Sequence, residues 1–173
     1  MIKDAGINWT LAGHSERRQK YGETDKECAT KTKNAIEKGL SVIVCCGETL
    51  EQREADQTDD VNARQLAAVL EEVQDWSNVV IAYEPVWAIG TGKTANPEDA
   101  QSATKSIRSW LEKNLSADVA KSTRILYGGS VNEKNAAMLI AKEDIDGFLV
   151  GGAALKPAFS DIVAAAKGAN PCA

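Results

Sequence analysis

The sequence predicts an α/β fold built on a parallel sheet, and three observations predict it. Short, nearly continuous apolar runs alternate five times with longer segments at helical spacing. The apolar runs lack polar alternation, as parallel strands covered on both faces do. Each run ends at its carboxyl side in Gly or a functional polar residue. The chemistry-bearing residues therefore collect along one edge of the sheet, where ligands bind in α/β folds.

In chain order, Ile7 to Ala12 is the first strand, with Trp9 and Leu11 on one face. It ends at Gly13-His14-Ser15-Glu16-Arg17-Arg18, a turn of helix. Thr24-Asp25-Lys26-Glu27 is a capping box, and the helix it starts runs to about Lys38 and stops at Gly39. Leu40 to Cys46 is the second strand, ended by Gly47-Glu48. A helical turn covers Glu51 to Ala55. Thr58 caps the next helix, with Val61, Leu66, Val69, Leu70 and Val73 on its apolar side. Asp75-Trp76-Ser77-Asn78 turns the chain into the third strand, Val79 to Tyr83. Asn96 caps a helix with Pro97 at its first position and acids in its first turn, running to about Asn114. A short helical turn at Ala117 to Ala120 precedes the fourth strand, Arg124 to Tyr127, which ends in Gly128-Gly129-Ser130. A helix from about Glu133 to Ala141 leads to the fifth strand, Asp146 to Val150, ended by Gly151-Gly152, and a last helix covers about Pro157 to Lys167.

This chain of 173 residues is long enough for one domain with a core, residues 1–173. A net charge of −5 argues against a nucleic-acid or acidic-membrane partner, since both recruit basic faces. With no membrane-length apolar run and no signal-peptide pattern, the expectation is a cytoplasmic protein. The four cysteines, Cys28, Cys45, Cys46 and Cys172, form no CxxC pair, and one His is present, so no metal site is indicated. Cys45 and Cys46 read as buried reduced thiols, and Cys172 lies in a tail read as disordered. Two architectures fit: an open doubly wound sheet, or part of a (β/α)8 barrel. No G-x-G-x-x-G follows the first strand, which weakens a dinucleotide-binding sheet. Eight units of the size seen here would total about 275 residues, near the ~250 of a barrel, so three units would be lacking.

The stretch Tyr83 to Ala95 carries a carboxylate, a Gly-bearing loop and a helix start. Its Gly92-Lys93-Thr94 ending resembles a P-loop, but that motif needs Gly where Trp87 stands. Glu84, flanked by Pro85 and Trp87, becomes desolvated if a loop closes over it, which suits a general base. His14 stands at a helix N-terminus, whose dipole disfavours protonation and predicts a neutral hydrogen-bond donor. Glu48 is either a second acid or a loop anchor. Gly90, Gly128-Gly129-Ser130 and Gly151-Gly152 come from three successive strand ends, where backbone N–H groups can approach an anion. A base, a neutral His and a phosphate cradle suit proton abstraction beside a carbonyl in a small phosphorylated substrate, with no cofactor.

Five segments together resemble the triosephosphate isomerase family: Ala12 to Arg18, Cys46-Gly47-Glu48, Tyr83 to Ala95, Tyr127 to Ser130, and Asp146 to Ala153. The resemblance implies a TIM barrel, of which this chain carries strands four to eight, its C-terminal portion. It implies interconversion of dihydroxyacetone phosphate and glyceraldehyde 3-phosphate, a step of glycolysis and gluconeogenesis. Glu84 matches the family's base, and His14 matches its electrophile, a pairing in which the surroundings tune both proton affinities. Glu16 matches a carboxylate that organises proton transfer, and Gly90, Ser130, Gly151 and Gly152 match phosphate binders. Pro85, Val86 and Trp87 match one hinge of a mobile lid, and Lys93, Thr94 and Ala95 match the other. Tyr127 and Ser130 match residues that hold the lid shut.

There are departures. The family's first three units, with a substrate-binding Lys and the loop that enters the partner subunit of a homodimer, have no counterpart here. Asp56-Gln57 stands where relatives often carry Gly. Met1 to Asp4 reads as internal sequence, so the expectation is a partial chain that is inactive alone. Two other function classes stay open: a different phosphate-handling barrel enzyme such as a synthase, and a non-catalytic interaction protein derived from the enzyme.

Overall fold

Five parallel strands stand side by side in the order in which the chain makes them: β1 Trp9–Ala12, β2 Ser41–Cys46, β3 Val79–Tyr83, β4 Ile125–Tyr127 and β5 Gly147–Phe148. The coordinates are a computed structural model that describes residues 1–89 and 95–167. Gly90, Lys93 and Thr94, expected in a phosphate site and a lid, and Cys172, expected in a disordered tail, lie outside the described residues. An open doubly wound sheet reverses its strand order at a switch point, whereas a barrel adds strands in sequence. The unbroken order therefore favours the barrel: the sheet is a run of five consecutive (β/α) units.

The register sets which residues share a face. Trp9 to Ala12 pair with Ser41 to Val44, Val42 to Cys46 pair with Val79 to Tyr83, and Ile81 to Tyr83 pair with Ile125 to Tyr127. Val42, Val44, Cys46, Val79, Ile81, Tyr83, Ile125 and Tyr127 all point to the helix side and are buried. Leu66, Val69, Ile107 and Leu111 cover them from the helices. On the other face Trp9 and Leu11 are 43% and 47% exposed, although Cys45 and Ala82 are fully covered. The expected burial of both faces thus holds at β3 and fails at β1, because a barrel's inner face is covered by strands on the far side of the ring.

The helices are α1 Ser15–Tyr21, α2 Asp25–Glu37, α3 Leu50–Glu54, α4 Thr58–Glu72, α5 Pro97–Asn114, α6 Ala117–Ser122, α7 Ala136–Ile140 and α8 Phe159–Lys167. Short 3-10 turns occupy Lys3–Ala5, Val86–Ala88 and Gly152–Leu155. The Thr24–Glu27 capping box closes in both directions, at 3.2 and 2.8 Å. Asn96 accepts the Asp99 N–H at 2.7 Å, and Pro97 stands at the first position of α5, as expected. Thr58 is not a cap: it is the first helical residue, and Gln57 before it makes no side-chain cap hydrogen bond. α7 starts three residues late because Asn132 Oδ1 accepts the Lys134 and Asn135 N–H groups in a local turn. β1 and β5 are shorter than expected because each has one neighbour and pairs only along that neighbour's length.

One polar network joins the helix layer to the late strands. Arg108 on α5 donates to Asp144 and Asp146 at 2.7 Å each, and to the Ala120 and Thr123 carbonyls at 2.7 and 3.2 Å. Asp146 also accepts the Ile125 N–H at 2.7 Å, which fixes the start of β4.

Candidate active site

The carboxyl edge of the sheet places Glu84 one residue past β3, Gly47 one past β2 and Gly128 one past β4. Backbone bonds continue the ladder to these positions, with Glu84 N–H on Cys46 O at 2.7 Å and Gly128 N–H on Tyr83 O at 2.8 Å. The Glu84 side chain extends over the end of β2 to meet residues that follow β1. Its Oε1 lies 3.0 Å from His14 Nε2, and its Oε2 accepts the Ser15 N–H at 3.0 Å. Glu84 is 2% exposed, and these donors replace the water that a buried carboxylate loses.

His14 is the N-cap of α1, and its Nδ1 accepts the Glu16 N–H at 3.3 Å. An Nδ1 that accepts carries no proton, so the proton of the neutral ring is on Nε2, aimed at Glu84. The helix-terminus effect expected from the sequence is therefore present as this contact. It does not set the direction. The hydrogen bond that His14 donates to Glu84 raises the His14 value above its ordinary 6.5, against the lowering by burial. A carboxylate in direct contact outweighs the partial charge of one helix turn.

His14 and Glu84 open on a cleft of about 530 Å³. Its far wall is Gly128 to Val131 after β4 and Leu149 to Ala153 after β5, with Leu11, Ile89 and Lys156 completing it. The sequence-predicted Ser130, Gly151 and Gly152 all line this space. Their backbone N–H groups donate to no protein acceptor among the described residues. Gly151 and Gly152 are exposed, and a Cβ on either meets nothing within 4 Å.

Glu16 is the exception among the predicted residues. Its side chain is exposed and paired with Lys20 at 2.8 Å, one helical turn on, and it lines a neighbouring hollow instead of the cleft. The carboxylate expected beside the base thus points away along α1, and Glu16 reaches the site only through its N–H on His14.

Glu48 proves to be a loop anchor. It is fully buried and accepts from the Tyr83 hydroxyl at 3.0 and 3.1 Å and from Trp87 Nε1 at 2.9 Å. Arg53 lies 3.6 Å from it, stacks over the Trp87 ring at 4.7 Å and pairs with Asp99 at 3.1 Å. The Val86 N–H also bonds the Glu48 carbonyl at 3.1 Å, so the hinge segment Pro85, Val86 and Trp87 is tied to the loop after β2. At the other side, Ser130 Oγ donates to the Ala88 carbonyl at 2.6 Å. Tyr127 buries a hydroxyl that has no hydrogen-bond partner among the described residues. The Ala95 N–H approaches that hydroxyl without completing a bond, and burial pushes the phenol up to about 12. Burial also pushes the Cys45 and Cys46 thiols up, so both stay protonated and inert, as their strand positions suggest.

Sequence reasoning missed Ser15, Leu11, Ile89, Leu149, Val131 and Lys156 as site residues. Leu149 could have been found, since it lies two residues before Gly151 and shares its strand parity. Lys156 follows the Gly152–Leu155 turn and carries no local signal of its place.

A family model described as Triosephosphate isomerase matches residues 1–166. The chain belongs to the triosephosphate isomerase family. Among curated members, the triosephosphate isomerase of Debaryomyces hansenii is 62% identical over 162 residues, which is 94% of this chain and 65% of that protein. That of Emericella nidulans is 60% identical over 164 residues, 94% of this chain and 66% of the relative. That of Neurospora crassa is 57% identical over 162 residues, with 94% and 65% covered. The chain thus spans about 65% of the length of these family members.

Proposed function

We propose that this sheet edge is the catalytic edge of a triose-phosphate isomerase, interconverting dihydroxyacetone phosphate and glyceraldehyde 3-phosphate through an enediolate. The observation that carries the reading is the 3.0 Å contact between His14 Nε2 and Glu84 Oε1 inside a cleft whose opposite wall is glycine-rich backbone. Glu84 is the base that takes a proton from the carbon beside the carbonyl and returns it to the neighbouring carbon. His14 donates Nε2–H to the oxygen on which charge develops. The free N–H groups of Ser130, Gly151 and Gly152, with Gly90, hold the phosphate and orient the triose.

Both Glu84 oxygens are engaged, one by His14 and one by Ser15. Catalysis requires the carboxylate to leave the Ser15 N–H and turn into the cleft. His14 then loses the contact that raises its value, while the Glu16 N–H on Nδ1 and burial remain. The ring becomes the neutral donor that the reaction needs. Closure of Pro85 to Ala95 over the cleft excludes water and gives the Tyr127 hydroxyl a partner.

The same reading includes a cytoplasmic homodimer at full family length that binds neither nucleic acid nor membrane. The net charge of −5 supports it, and among the described residues no helix is long and apolar enough to cross a membrane. The test is a chain of full family length carrying these residues, assayed with dihydroxyacetone phosphate in both directions. The expected result is isomerisation that Glu84→Asp cuts by roughly a hundredfold or more while inorganic phosphate still binds. Equal turnover in parent and variant refutes Glu84 as the base.

A further inference from the structure

We infer that Gly128, together with Gly47, is a positioning residue for Glu84. The inference rests on the functional reading above and extends it to how the base is aimed. In a parallel sheet, residues at matched register on neighbouring strands stand side by side about 4.8 Å apart. At the register of Glu84 both neighbours are glycine, Gly47 past β2 and Gly128 past β4.

The two glycines clear different parts of the same residue. A Cβ at Gly47 falls 1.7 Å from the Glu84 carbonyl oxygen, so any side chain there displaces the backbone. With that position bare, the Glu84 backbone keeps the place from which its side chain reaches His14 and Ser15. On the other flank, a Cβ at Gly128 falls 2.9 Å from Glu84 Cγ and 3.3 Å from the Tyr83 carbonyl. Cγ is the pivot about which the carboxylate turns between His14 and the cleft. The space over Gly128 is therefore turning room for the base. Gly128 also lines the cleft directly, on the side toward which the carboxylate must move. The sequence gives the pair no local reason: neither residue is among the positive-φ glycines. Their smallness answers to a neighbour's side chain across the sheet.

The experiment is Gly128→Ala in a chain of full family length. Gly128→Ala is expected to keep its circular dichroism and its binding of inorganic phosphate. Its kcat should fall at least tenfold while KM changes less than threefold, because the N–H groups of Ser130, Gly151 and Gly152 are unchanged and the base is misdirected. A kcat within twofold of the parent, a KM that rises as much as kcat falls, or loss of the fold in Gly128→Ala each overturns the inference. If the unsubstituted protein shows no isomerisation, the functional reading falls instead, and the two failures are distinct.

Discussion

At the scale of single residues, the site is a set of exchanges around one carboxylate. Glu84 is 2% exposed, and His14 and Ser15 satisfy its two oxygens in place of water. The His14 value is raised by that contact. A group raised on folding stabilises the fold fully below its unfolded value, near 6.5, and that contribution fades as pH rises through the folded value. Glu84→Gln removes the carboxylate, so the His14 midpoint should move down, read by NMR titration of the imidazole; an unchanged or higher midpoint contradicts the assignment. Tyr127 gives a second residue-scale prediction. Its buried hydroxyl lacks a partner among the described residues, and an unpaired buried polar group costs about 1–3 kcal/mol. Tyr127→Phe should leave thermal stability equal or higher and lower kcat by about tenfold, the value of one hydrogen bond made only on closure. A destabilised variant with unchanged kcat would falsify this role.

At the scale of elements, what the sequence shows best is what local chemistry decides. The Asn96-Pro97 start of α5, the Thr24–Glu27 box of α2 and the run Val79–Tyr83 appear at the expected places, because cap, ring and β-branched pattern act within a few residues. The ends of β1, β4 and β5 were less legible, since pairing length depends on a strand brought in from elsewhere in the chain. The direction of the Glu16 side chain was illegible for a similar reason: Lys20 lies one turn along α1 and captures it. The coupling of α5 to β4 and β5 is also a long-range fact. Arg108 holds Asp144 and Asp146, whose side chains are 9% and 8% exposed. Arg108→Met leaves two buried carboxylates without their cation and should cost about 3 kcal/mol, seen as a lower denaturation midpoint. A change below about 0.5 kcal/mol means that the network contributes little.

For the whole molecule, strand order decides what the sequence left open between a doubly wound sheet and a barrel. Five strands in chain order, with helices on one face and a half-exposed apolar face on the other, are consecutive units of a ring. The edge proposed to carry the chemistry was legible because the apolar runs lead into Gly13-His14, Gly47-Glu48, Glu84, Gly128-Gly129-Ser130 and Gly151-Gly152. The reach of Glu84 across two strands was not, because it depends on bare positions at Gly47 and Gly128 that only the assembled sheet brings beside it. The open face and the free edges of β1 and β5 make the 173-residue polypeptide prone to associate by itself. Expressed alone, it should elute as aggregate or higher oligomer on size exclusion and turn over at under about a hundredth of the rate of a full-length family member. A monodisperse, fully active 173-residue species contradicts that expectation.

Proton transfer by Glu84 within this cleft is the central claim, and isotope exchange in heavy water measures it most directly. A chain of full family length carrying these residues should place deuterium on the carbon beside the carbonyl as dihydroxyacetone phosphate and glyceraldehyde 3-phosphate interconvert. Glu84→Gln should abolish both the exchange and the interconversion while phosphate binding persists. Carbon-bound deuterium appearing at the parent rate in Glu84→Gln would contradict the account.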